Sequence, residues 1–137
     1  MVATPKIALL FVFSVVPFLA GGCGGDRSIG DPQEHRRKAE LAEIYEIYTG
    51  YAKRNQRPPR QWSDLNQAEF QGVYPIGFQA LQSGQYIAVW GVSGKDEGTV
   101  LAYEKDAPAK GGMVLMADGT VKTMSANELQ AALKPRG

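Results

Sequence analysis

The stretch GGMVLMADGTVKTMSANEL, residues 111–129, decides the fold. Residues 113–116 and 120–124 are short runs rich in types that suit a pleated surface, and Asp118-Gly119 stands between them, where a tight turn requires positive φ. Together they spell a β-hairpin. Ser125 follows at once, with Glu128 three positions on and apolar Leu129, Ala132 and Leu133 beyond. The second strand should therefore run straight into a helix whose first turn is closed by a capping box.

Upstream, residues 99–104 set Val100, Ala102 and Glu104 against Thr99, Leu101 and Tyr103, the alternation of a strand. Residues 85–92 place Tyr86, Ala88, Trp90 and Val92 on one face and Ile87 and Val89 on the other. Both faces are apolar, which predicts a central strand. Residues 93–98, with Lys95, Asp96 and Glu97, form a polar turn, and residues 105–112, with Pro108, form a loop. Strands that follow one another through short connections make an antiparallel meander most simply. Residues 74–84, punctuated by Pro75, Gly77 and Gly84, are expected to be irregular, while Trp62 and Leu65 share a short helical turn that plugs one end of the core.

The meander needs a cover for its apolar face. Between positions 34 and 53, Leu41, Ile44, Tyr45, Tyr48, Tyr51 and Ala52 recur at the three-and-four spacing of one buried helical stripe. Asp31, Pro32 and Glu34 mark the start of this helix, and Arg36, Lys38, Glu40, Glu43 and Glu46 lie on its polar face. The fold class is thus α+β: one long N-terminal helix packed on a four-stranded antiparallel meander, with a short C-terminal helix, in one domain over residues 34–134.

Residues 1–22 read as an export signal. Lys6 gives a positive start, residues 7–19 form an apolar run broken only by Ser14 and Pro17, and Ala20, Gly21 and Gly22 supply the small residues a peptidase needs. The run is shorter than the roughly 20 apolar residues a membrane-spanning helix requires. Residues 23–33, rich in glycine and polar types, are expected to form a flexible tether. The chain of 137 residues has a formal charge of +1, and Lys6 accounts for that excess. A balanced domain gives no ground for a nucleic-acid partner. The single cysteine, Cys23, allows no internal disulfide.

FLAGGC, ending in Cys23, resembles the lipobox of bacterial lipoproteins, with Leu19 one step earlier than that pattern usually has its leucine. The resemblance implies a lipid-modified Cys23 at the head of the mature chain and hence the membrane as a partner. Gly24 resembles the residue that sorts such proteins to the outer membrane, facing the periplasm. A second resemblance joins the long helix, the proline-bearing loop with Trp62 and Leu65, and VLAYEKDAPAKGGMVLMADGTVKTMSANEL at residues 100–129. Together these resemble the globular part of type II secretion pseudopilins and related bacterial proteins, at motif level over 100–129 and in layout elsewhere. Where those relatives carry histidines this chain has Pro108, Ala109 and Thr120, so no role tied to them is carried over. The prepilin cleavage signature is also missing, and a lipobox stands in its place.

These features lead to the expectation of a lipid-anchored, non-enzymatic envelope protein that acts through contacts with another envelope protein, beside a secretion or pilus-like assembly. No cofactor or metal is expected: the single histidine, His35, lies at a polar helix start, and Asp96, Glu97 and Asp106 match no calcium loop. Asp118 and Gly119 are read as turn residues, and Ser125 and Glu128 as a cap. The alternative expectation is an anionic ligand or surface held by Lys53, Arg54, Arg57 and Arg60.

Overall fold

The computed structural model describes residues 30–135, and Cys23 with the signal segment lies outside them. Helix α1 spans Pro32–Asn55 and so begins inside the segment read as tether. Asp31 caps it, its carboxylate accepting the Gln33 N–H at 3.0 Å, and Pro32 occupies the first turn, where its missing N–H costs nothing. Lys53 and Arg54 stand at the negative end of the dipole, and Gln56, at φ 57, ends the helix in the left-handed region. The buried stripe is Leu41, Ile44, Ile47, Tyr48 and Tyr51, and Tyr45 and Ala52 are only half-buried. Fully burying a leucine or isoleucine is worth about 1.5–3 kcal/mol, so this face anchors the domain.

Short helices follow as α2, Trp62–Leu65, then α3, Ala68–Val73, and α4, Pro75–Gln82. The last corrects the expectation of an irregular 74–84. Pro75 starts α4 rather than breaking it, and Gly77 lies inside α4 where that helix crosses α1. A Cβ at Gly77 would come within 2.6 Å of the Glu43 Cβ and 2.8 Å of the Ile44 nitrogen. No α4 residue caps its own start. Glu43, read as a solvated position of α1, instead accepts the Gly77 N–H at 2.7 Å.

The sheet comprises β1, Tyr86–Ala88, β2, Val100–Glu104, β3, Gly112–Met116, and β4, Val121–Met124, with a turn of helix α5, Ala107–Lys110, before β3. Its order is β1-β2-β3-β4 and every pairing is antiparallel, the meander the sequence predicts. The expected central position of residues 85–92 is corrected: β1 is short and lies at the edge. Apolar residues on both faces of a strand report burial by neighbours, and here Ile87 and Trp90 stay exposed at 37% and 38%.

Both faces of the sheet are covered. Met113, Leu115 and Ala117 join the larger cluster with α1 and α4, while Val114 and Met116 join a smaller one with Leu129 of α6, Ala126–Leu133. A register irregularity between Val100 and Ala102 lets Val100, Leu101 and Ala102 all be buried. At the hairpin, the Gly119 N–H donates to the Met116 carbonyl at 3.0 Å, and Gly119 takes φ 88. The Tyr45 ring lies beneath it, 3.1 Å from where a Cβ would stand, so the turn docks on α1. The Asp118 carboxyl is held below its ordinary range, first by the Thr120 N–H that it accepts at 2.9 Å.

The capping box is complete. The Glu128 N–H donates to Ser125 Oγ at 3.2 Å, and the Ser125 N–H to Glu128 Oε2 at 2.7 Å. Ser125→Ala is expected to lower the unfolding free energy by about 1 kcal/mol in urea titrations, and an unchanged midpoint would refute the cap. The Ser125 N–H also holds the Glu128 carboxyl below its ordinary 4.5. A depressed folded pKa contributes stability in full above the unfolded value, and that contribution fades as pH falls through the folded one. The acid limb of the stability profile should therefore flatten in Glu128→Gln.

Candidate functional site

The basic segment after α1 is largely neutralised within the domain. Arg54 forks onto Glu69 through bonds of 2.8 and 2.6 Å and lies over the Phe70 ring. Arg57 pairs with Asp64 at 3.3 Å and lies over the Tyr51 ring at 5.3 Å. The Arg60 backbone N–H also donates to Asp64, at 2.9 Å, and this bond is the first cause that keeps the Asp64 carboxyl below its ordinary value. Among the described residues, only Lys53 and Arg60 of the predicted four have no carboxylate partner. An anion taken up here would have to displace Glu69 or Asp64 or be held by those two cations alone.

Other carboxylates are committed to scaffolding. Glu40, read as solvated, is 1% exposed: it accepts the Tyr86 hydroxyl at 2.9 Å and the Gln85 amide at 2.7 Å, and pairs with Arg36 at 3.0 Å. Glu104 accepts the Met113 N–H at 2.7 Å and meets Arg37 at 3.4 Å. Tyr48 bridges α1 to the segment after β1, donating to the Val89 carbonyl at 3.1 Å and accepting the Val92 N–H at 2.9 Å. Burial pushes its hydroxyl up to about 12. Among the described residues no group of histidine, cysteine and carboxylate side chains is arranged to hold a metal, and no helix is long and apolar enough to cross a membrane.

One feature of the surface was not legible in the sequence. A groove of about 270 Å³ runs beside β1, walled by Trp62, Leu81, Tyr86, Ile87, Ala88 and Trp90. The Trp62 wall packs on the buried Phe78 ring, 5.3 Å away, and the Gly91 N–H bonds to the Pro59 carbonyl at 2.9 Å next to Trp90. Trp62, read as a core plug, is only half-buried because its outer face forms this wall. The turn and cap residues Asp118, Gly119, Ser125 and Glu128 are not part of it: the turn docks on Tyr45 of α1, and the cap starts α6. Compared with protein-family models, curated proteins and solved structures, the chain finds no match.

Proposed function

We propose that this chain is a lipid-anchored, non-enzymatic protein of the bacterial envelope that works through protein contacts, beside a secretion or pilus-like assembly. The observation that carries this proposal is Cys23, the single thiol of the chain, placed directly after the small residues that close an apolar run. Acylation there with more than one chain, as the lipobox resemblance implies, would be a stable tether, since each buried CH₂ contributes about 0.8 kcal/mol. The domain supports a role in contact. Glu40, Glu43, Asp64 and Glu104 are bonded to structural partners, whereas a general base needs a free group facing a pocket. Val73, Ile76, Ile87 and Trp90 meanwhile leave apolar surface exposed.

Detergent phase partitioning tests the anchor. Native protein is expected in the detergent-rich phase and the Cys23→Ser form in the aqueous phase, with a mass difference that accounts for the acyl chains. Equal partitioning, or an unmodified thiol by mass spectrometry, removes the anchor. The second reading, an anionic ligand or surface at residues 53–60, is favoured by Lys53 and Arg60, which have no carboxylate partner among the described residues. It requires binding that weakens steeply with ionic strength, which contact through an apolar surface does not.

A further inference from the structure

Antiparallel pairing of β1 with β2 alternates the direction of the backbone groups. The bonds from Val89 N–H to Leu101 and from Lys105 N–H to Gln85, with Ile87 opposite Tyr103, turn residues 85, 87 and 89 toward β2. The N–H and C=O groups of Tyr86 and Ala88 therefore face outward, into the side of the molecule where the groove lies. Among the described residues no hydrogen bond from outside the sheet reaches them. Edge strands are ordinarily guarded by a charge, a proline or a covering element, yet residues 84–94 hold no charged residue and no proline. Ile87 and Trp90 instead present apolar surface beside the open edge.

Charge says what belongs there. The Pro59–Gly91 bond fixes the loop carrying Arg60 at the Trp90 end, between Pro59 and the groove residue Trp62. Arg54 and Arg57 each have a carboxylate, and the Arg60 guanidinium has none among the described residues. An unsatisfied backbone edge, an aromatic groove and, on the loop at one end, a cation with no carboxylate partner are together complementary to an extended peptide with an apolar side chain and a nearby carboxylate. A bilayer would cover Ile87 and Trp90 but would leave the N–H groups of Tyr86 and Ala88 without acceptors.

We infer that the β1 edge is a docking site for an extended segment of a partner protein, which adds a strand beside Tyr86–Ala88, fills the groove with an apolar side chain and sets a carboxylate at Arg60. This deepens the proposed contact function and rests on it. At about 3.3 Å per residue, the three residues of β1 pair with about three residues of the incoming segment.

The test is a display library of random seven-residue peptides screened against the full native protein in detergent micelles. Enriched peptides should alternate apolar and β-branched residues and carry Asp or Glu toward one end. A synthetic copy of the most enriched peptide should bind at least about tenfold more weakly to Ile87→Lys, which places a charge on the edge, and about threefold more weakly to Arg60→Gln. N-methylating alternate amides of that peptide should abolish binding. Circular dichroism checks both variants, and Arg60→Gln, in an exposed loop, carries the comparison if Ile87→Lys does not fold. The inference is overturned by enrichment that survives in the variants, by binding indifferent to N-methylation, by dimerisation of the protein that is lost in Ile87→Lys, or by uptake onto phosphatidylglycerol vesicles that is lost in the same variants. Peptide binding retained in Cys23→Ser protein would leave the docking site standing even if the anchor failed, so the two proposals fail separately.

Discussion

Replacing Glu40 by alanine is expected to lower the unfolding free energy by about 2–4 kcal/mol, more than any surface carboxylate of α1. The cost does not come from the ion pair, because the Arg36 side chain is 77% exposed and a solvated partner contributes little. It comes from the Tyr86 hydroxyl, which is left buried without an acceptor, and from the space vacated under α1. A double-mutant cycle isolates the bond. Tyr86→Phe alone should cost about 1–2 kcal/mol, and Glu40→Ala with Tyr86→Phe should cost less than the two single changes summed. Strict additivity in urea titrations would mean the two side chains do not interact. The phenol provides a second readout: burial first, and then Glu40, hold its pKa well above the ordinary 10.0, so in Glu40→Gln it should titrate at lower pH.

Gly77→Ala is expected to be nearly as damaging, about 2–4 kcal/mol, against the usual trend for helices. Alanine in a helix interior is favoured over glycine by about 1 kcal/mol. At Gly77 that gain is outweighed, because the new methyl meets α1 backbone at 2.8 Å and pushes on Glu43, whose carboxylate caps α4. Backbone cannot step aside as a side chain can, so α4 must move off α1. Gly72 in α3 is the matched control, since nothing lies within 4 Å of its Cβ position. Gly72→Ala should raise the thermal midpoint while Gly77→Ala lowers it, and the same sign at both positions would disprove the close crossing.

The parts of the fold legible in the sequence are those written in local chemistry. Asp31-Pro32, the apolar period of α1, the Asp118-Gly119 turn and the Ser125 to Glu128 box each act over a few residues, and each stands where its pattern predicts. The parts not legible depend on what lies across the fold. Pro75 and Gly77 read as breakers because their benefit, a helix start and a close crossing, needs α1 as a neighbour. Glu40 reads as polar surface because Tyr86, its partner, is far along the chain. The apolar faces of residues 85–92 suggest a buried strand, yet sheet order is set by pairing and not by composition. The same holds for the candidate site. Lys53, Arg54, Arg57 and Arg60 stand out as a run, but their neutralisation by Glu69 and Asp64 and the groove beside β1 arise only in three dimensions.

The division of the apolar interior between the two sides of one sheet bears on how the molecule breathes. The flank under α6 rests on a handful of contacts around Val114, Met116 and Leu129, while the opposite flank gathers most of the hydrophobic mass. Small cooperative units open at lower free energy than the whole, so the C-terminal leaf can lift while the other side stays sealed. Were that leaf to lift, α6 would have to re-form against Val100, Ala107, Val114 and Met116, on a sheet still held by its opposite face.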